Sequence, residues 1–145
     1  MDLLKLALSS LSACALAALP ACSVGVEPIS TAPTPPTVPA VDTGTLTVTW
    51  LVAGTAEPAL CTAYRADSLE LVIDDATGAE VTTLNAPCEA FSTTVTLPEG
   101  SYTAEATLVD AASNSRSITK PLQSIRIVAG TDLAIDLDFP TSSLL

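Results

Sequence analysis

The sequence predicts a single all-β domain, an antiparallel β-sandwich of about seven strands between residues 45 and 140. From Thr45 onward, apolar and polar residues alternate in short runs, which is the period of a strand with one buried face. Breaks rich in Gly, Pro and Asp separate these runs, and no run has the length or period of a long helix. Because each strand has one apolar side to bury, two sheets packed face to face are the expected arrangement.

The first predicted strand, residues 45–52, alternates without interruption. Gly54 and Pro58 interrupt the pattern after it, so we expect a loop over residues 53–67, with one helical turn around residues 62–65.

The next two predicted strands, residues 69–73 and 79–84, are joined by a turn over residues 74–78. Glycine at the end of that turn tolerates positive φ. Residues 85–87, Asn-Ala-Pro, break the pattern again before Cys88.

The clearest pattern runs from Phe91 to Val109, where alternating residues flank the turn Leu97-Pro98-Glu99-Gly100. Pro98 fixes a φ that suits a turn, and Gly100 accommodates positive φ. We therefore predict a hairpin here. Its inner face would carry Phe91, Thr93, Val95 and Leu97 on one strand and Tyr102, Ala104, Ala106 and Leu108 on the other.

In the last part of the domain, the sequence predicts a weak edge strand over residues 116–119, which ends before Pro121. Residues 122–128 and 133–139 alternate as two further strands, and residues 141–145 form a tail that we expect to fray.

The first 21 residues have the pattern of an export signal, a short basic start followed by an apolar run too short to span a bilayer. The run ends in Leu19-Pro20-Ala21-Cys22, which resembles the lipobox of bacterial lipoproteins. That resemblance implies cleavage before Cys22 and attachment of lipid to it. Cleavage before Cys14 would leave too little apolar length, and ordinary signal cleavage, giving a secreted protein, is the alternative.

Residues 22–44 are rich in Pro and Thr and lack an apolar period, so they are predicted to be a linker. In extended polyproline II form, at about 3.1 Å per residue, they would hold the domain up to roughly 65 Å from a membrane. The Thr-Pro pairs are alternatively acceptors for sugars in a host with that machinery.

Two cysteines, Cys61 and Cys88, remain after cleavage before Cys22. Exported proteins usually pair such cysteines, because the compartment is oxidising. The strands at 69–73 and 79–84 leave one end of the sandwich and return to it, so the two cysteines should meet there. We predict a Cys61–Cys88 disulfide.

The net charge is −11, and it stays −11 after residues 1–21 are removed, because one acidic and one basic residue leave together. This charge argues against nucleic acid or anionic lipid as a direct partner.

The chain has no histidine, which excludes Ser-His-Asp and Cys-His catalysis and most zinc sites. It has no phosphate-binding glycine loop either. We therefore predict that the protein is not an enzyme and needs no cofactor; a small hydrolase using paired carboxylates is the alternative.

Two acidic pairs raise a calcium alternative. Asp74 and Asp75 share a turn, and Asp136 and Asp138 share the outer face of the last strand. Calcium needs six to eight converging oxygens, so turn stabilisation and protection of a strand face explain these residues more simply. We predict no metal site.

Carbohydrate-binding sandwiches usually expose aromatic platforms, but Trp50, Phe91, Tyr102 and Phe139 all fall on predicted inner faces. Tyr64, beside Arg65 in the first loop, is the one aromatic expected to be exposed. Tyr and Arg are enriched in binding hot spots, so these two are the candidate contact residues. The loops at 53–67 and 85–89 are the candidate binding surface.

The run Leu97-Pro98-Glu99-Gly100-Ser101-Tyr102 resembles the Leu-Pro-x-Gly-x-Tyr turn of transthyretin-like and carboxypeptidase-regulatory-like modules, which are Ig-like sandwiches. In those modules the tyrosine, here Tyr102, leans back across the turn. Residues 44–139 are also similar to small lipoproteins of uncharacterised function from Gram-negative bacteria. The resemblance implies an Ig-like fold and a lipid anchor, and no activity. From the anchor, the linker and the missing catalytic motifs we predict a protein of the cell envelope, in the outer membrane, with a structural or binding role and an envelope protein or glycan as partner.

Overall fold

The computed structural model describes residues 40–145. Residues 1–39 lie outside the described part, so the expected signal peptide, Cys22 and most of the linker are not represented in it. The described elements are β1 Thr43–Val52, α1 Pro58–Ala63, β2 Ser68–Asp75, β3 Glu80–Pro87, β4 Ser92–Pro98, β5 Gly100–Val109, β6 Lys120–Ile127 and β7 Asp132–Phe139.

The seven strands form two sheets, which confirms the predicted all-β sandwich. Sheet A has the strand order β4-β1-β7, and sheet B has the order β3-β2-β5-β6. The inner residues of both sheets make one apolar core. Its largest fully buried side chains are Trp50, Phe139, Leu46, Leu69, Leu71, Ile73, Leu97, Leu108, Ile125 and Ile127. The predicted alternation is thus correct, since these residues occupy every second position of their strands.

The predicted hairpin over residues 91–109 is wrong in its pairing. β4 pairs with β1 in sheet A, whereas β5 pairs with β2 and β6 in sheet B. The turn at Glu99 therefore carries the chain from one sheet to the other. The apolar sides of the two strands face each other across the core instead of lying side by side.

The turn between β4 and β5 nevertheless holds the tyrosine as expected. The Tyr102 hydroxyl donates a hydrogen bond to the Pro98 carbonyl oxygen at 2.9 Å, and the side chain is buried. A Cβ placed on Gly100 would lie 3.3 Å from the Tyr102 ring. Tyr102 thus leans back over the turn and stabilises the crossing between the sheets.

One strand pair departs from the predicted antiparallel arrangement. β1 and β7 run parallel, with Thr45 beside Asp132 and Val52 beside Phe139. β1 is central in sheet A, and its other neighbour, β4, is antiparallel to it. The first and last strands are thus joined directly, which closes the domain.

The C-terminal segment also differs from the frayed tail that the sequence predicts. Residues 141–143 form a turn of 3₁₀ helix, and Ser143 is buried. The Ile118 and Leu145 backbone N–H groups donate to the carbonyl oxygens of Ser143 and Arg116, at 2.8 and 3.0 Å. The end of the chain therefore crosses from sheet A to the segment before β6.

Smaller differences concern element boundaries. β1 begins two residues earlier than predicted, at Thr43, and β3 continues through the expected break to Pro87. The helical turn comes earlier, at Pro58–Ala63. Of residues 116–119 only Ser117 forms a β-bridge, to Leu144, and the edge strand is β6 instead.

Candidate functional site

Four connections lie at one end of the sandwich, which we call the disulfide end. Strands β1, β3, β5 and β7 all finish there. The connections are residues 53–67, which include α1, residues 88–91, residues 110–119 and the C-terminal residues 140–145. This end contains the loops that the sequence marks as the candidate binding surface.

The short helix α1 is limited on both sides by its sequence. Pro58 occupies its first position, where a missing N–H costs nothing. At its end Arg65 adopts φ +56°, and the Ala66 and Arg65 N–H groups donate to the carbonyl oxygens of Cys61 and Thr62 at 2.9 and 3.1 Å. This is a Schellman motif with arginine where glycine is usual. It projects Arg65 from the tip of the loop.

The predicted disulfide is confirmed. Cys61 on α1 is bonded to Cys88, with Cα atoms 5.9 Å apart. Each cysteine lies on a connection that crosses between the sheets, since residues 53–67 lead from β1 to β2 and residues 88–91 from β3 to β4. The bond therefore links both crossings.

Two hydrogen bonds, one to a side chain of β1 and one to the backbone just before β2, hold the Cys88 turn in place. The Trp50 indole N–H donates to the Cys88 carbonyl oxygen at 3.0 Å. The Cys88 N–H donates to the Asp67 carbonyl oxygen at 2.9 Å. The only tryptophan of the chain thus fixes the turn to which the disulfide is attached.

Two depressions flank α1. One, about 460 Å³, lies between α1 and the Cys88 turn, and its polar lining includes Thr62, Asp67, Ser68, Asn85 and Glu89. Two carboxylates and no basic side chain line it. This depression offers mainly hydrogen-bond acceptors and negative charge.

The other depression, about 470 Å³, lies between α1 and the loop at 110–119, and Arg65, Asp110 and Arg116 line it. Asp110 accepts from the Arg116 guanidinium at 2.5 Å and from the Asn114 and Ala112 backbone N–H groups at 2.9 Å each. These hydrogen bonds, the Asn114 backbone N–H first, lower the pKa of Asp110 to about 2. The ion pair and these hydrogen bonds tie together the loop that forms this side of the depression.

The two candidate contact residues differ in exposure. Tyr64 is half-buried and packs against the core, whereas Arg65 is exposed. The structure therefore places Arg65 on the surface of the second depression and uses Tyr64 largely as support. Their role in binding stays a prediction.

The acidic pairs considered for calcium do not converge. Asp75 accepts from the Thr77 hydroxyl and the Thr77 and Ala79 N–H groups at 2.6, 2.8 and 3.1 Å, which lowers its pKa, with the Thr77 hydroxyl as the largest cause. Asp75 lies opposite the disulfide end, whereas Asp136 and Asp138 lie near the disulfide end, on the outer face of sheet A. Within residues 40–145 no group of three or more possible ligands comes together.

Sequence reasoning missed two features of this end. The Asp110–Arg116 pair is not predicted, although Asp110 followed by Asn114 is a usable signal of a side-chain-capped turn. The spacing from Val95 predicts Phe91 on the inner face, and the structure confirms this, since Phe91, Thr93 and Val95 are all half-buried and Phe91 packs against the core. The feature that the sequence does not predict is the φ of +52° that Phe91 adopts after the Cys88 turn.

Comparisons with known proteins add little to this picture. No family model matches the chain, and no curated protein matches it. Among solved structures, the chain is similar to the Bacillus anthracis TIE protein, at 18% identity and a TM-score of 0.42. The match covers 68% of this chain and 17% of that protein. None of the helices in the described residues is long and apolar enough to cross a membrane.

Proposed function

We propose that the protein is a lipid-anchored module of the cell envelope that binds a protein or glycan partner through its disulfide end. The lipobox-like sequence before Cys22 and the Pro/Thr-rich residues 22–44 support the anchor. The absence of histidine and the lack of converging ligands within the described residues favour binding over catalysis.

One observation supports the proposal most directly. β1 starts at Thr43, at the end of the sandwich opposite the disulfide end, so the preceding chain joins the domain there. A strand of ten residues spans about 33 Å. An anchor upstream of β1 is therefore attached at the end opposite both depressions beside α1, so that the attachment point does not cover them.

A cross-linking experiment in intact cells tests the anchor and the binding end together. A photo-reactive residue replaces Ala112 at the disulfide end or Ala76 in the turn at the opposite end, both exposed alanines that follow a capping aspartate. We expect a discrete adduct from position 112 and none from position 76. The same protein should sediment with membranes, and Cys22→Ser should release it.

The outcomes separate the two parts of the proposal. Adducts of equal yield from both positions, or from position 76 alone, would contradict binding at the disulfide end. Membrane association that survives Cys22→Ser, with Cys14→Ser as the matched control, would contradict the anchor and leave the binding end to be judged from the adducts.

A further inference from the structure

A third depression lies away from α1, on the outer face of sheet A where that sheet meets the disulfide end. It has a volume of about 440 Å³, and we call it the sheet A groove. Residues from three separate segments line it: Leu51 and Thr49 on β1, Ala56 after β1, Phe91 before β4, and Asp136 and Asp138 on β7.

One part of the groove is apolar. Leu51 is 37% exposed, although it belongs to a strand whose other outward residues are mostly threonines. Phe91 is half-buried at φ +52°, a backbone conformation rare for a bulky residue. Its ring lies 6.5 Å from the Trp50 ring, so the groove has an aromatic wall fixed by the core.

The other part carries two negative charges. In the parallel pairing of β1 with β7, Asp136 lies beside Thr49 and Asp138 beside Leu51. Asp136 accepts from the Thr49 hydroxyl, and Asp138 accepts from the Gly54 N–H at 3.2 Å. In each carboxylate these bonds engage one oxygen, so the other remains available.

No basic side chain neutralises these carboxylates within residues 40–145. The single ion pair of the described part joins Asp110 and Arg116, and β1, β4 and β7 contain neither Lys nor Arg. A groove with an apolar wall and two uncompensated charges is complementary to a cation that has an apolar stem and little hydration.

We propose that the sheet A groove binds an arginine side chain presented by a basic segment of a partner protein. Successive outward residues of a strand are about 6.6 Å apart, so the carboxylates of Asp136 and Asp138 present two separated hydrogen-bond acceptors to a ligand. A guanidinium presents a planar fork of five donors that can reach both, and it stacks on aromatic rings. The alkyl stem of the arginine then covers Leu51. This site is separate from the depressions beside α1 and does not depend on the anchor.

Binding can be followed by the fluorescence of the single tryptophan, because Trp50 lines the groove and lies against Phe91. Purified full-length protein in detergent is titrated with the blocked tripeptide acetyl-Gly-Arg-Gly-amide while Trp50 fluorescence is recorded. We expect saturable binding with a dissociation constant of about 1 mM. The peptide with citrulline in place of arginine, which has the same shape without the charge, should give no saturable change.

Charge-removing variants locate the binding. Asp136→Asn and Asp138→Asn keep an oxygen for the Thr49 hydroxyl and the Gly54 N–H, so the fold should persist, as a thermal melt checks. Each is expected to weaken arginine binding about fivefold. Asp132→Asn is the matched control, since it lies on the same face of β7 and should change binding less than twofold.

Three results would overturn the proposal. They are equal binding of the citrulline peptide, equal weakening by Asp132→Asn, and no saturable signal up to about 10 mM peptide. The comparison of the two peptides uses the unmodified protein, so it decides the question even if a variant fails to fold.

Discussion

At the end where β1 begins, the chain reverses in short turns whose positive-φ residues are glycines, whereas at the disulfide end, where Gly54 has φ +81°, most of the positive-φ residues are not glycines. Gly78 and Gly130, in the turns after β2 and β6, have φ +80° and +68°. Of five non-glycine residues with positive φ within the described part, four lie at the disulfide end: Ala53, Arg65, Phe91 and Ser113.

The difference shows which conformations need support. Glycine adopts positive φ at no steric cost, so a turn built on it needs few neighbours. A residue with a Cβ loses about 1–2 kcal/mol in the left-handed region and stays there only when the surroundings determine it. Near Arg65 and Phe91, the Cys61–Cys88 bond and the Trp50 hydrogen bond to Cys88 provide that support. The Ala53 and Ser113 N–H groups instead donate to the carbonyl oxygens of Phe139 and Asp110, at 2.8 Å each.

The largest expected effect comes from removing the disulfide. Its cysteines are 27 residues apart, and restriction of the unfolded chain over that loop stabilises the fold by about 3.6 kcal/mol. Cys61→Ala with Cys88→Ala should lower the free energy of unfolding by that order, measured by urea denaturation. Hydrogen exchange should rise first around α1 and residues 88–91, while the turn at 76–79 stays protected.

The control for that experiment is the unmodified protein treated with reductant, which should match the double variant. An unchanged urea midpoint, or a rise in exchange spread evenly over both ends, would contradict the idea that the bond supports one end in particular.

We expect intermediate effects of opposite sign on the free energy of unfolding when a glycine is removed at one end and introduced at the other. Gly78→Ala should lower the free energy of unfolding by about 1 kcal/mol, because a Cβ there meets nothing within 4 Å and φ alone opposes it. Arg65→Gly should raise it by about 0.5–1 kcal/mol, as relief of the strained φ exceeds the added freedom of the unfolded chain. Urea denaturation measures both variants.

Arg65→Gly decides between the two explanations of this loop. If it destabilises the protein as much as Gly78→Ala does, the arginine side chain contributes contacts that outweigh its strain. The left-handed backbone conformation of residue 65 would then not lower the stability of the fold.

The sequence was a good guide to which residues are buried and a poor guide to which strands are neighbours. Alternation places Leu97 and Tyr102 inward, and both are buried. The same alternation is produced by a hairpin, whose two inner faces lie side by side, and by a crossing between sheets, whose inner faces oppose. The turn at Glu99 closes either arrangement, so the local pattern cannot distinguish them.

The site was predictable to the same degree. Cysteine parity and the direction of two strands were enough to bring Cys61 and Cys88 together, since both arguments concern the order of elements. The sheet A groove depends on the parallel register that sets Leu51 beside Asp138, residues 87 positions apart in the chain. It also depends on the backbone of Phe91. Neither has a signal in the residues nearby.

The smallest expected effect concerns pH and compares two capped turns, Asp110 at the disulfide end and Asp75 opposite. The pKa of Asp110 is about 2 in the folded protein, below its ordinary value of 3.8. The folded state therefore favours the ionised form, and this stabilisation is complete above about pH 4 and disappears as the pH falls towards 2.

Asp110→Asn should lower Tm by a few degrees at neutral pH and by less at pH 2. Asp75→Asn should behave with the same sign, because the Thr77 and Ala79 hydrogen bonds lower its pKa. A Tm difference for Asp110→Asn that is constant from pH 7 to pH 2 would mean that the Arg116 and Asn114 contacts do not depend on its charge.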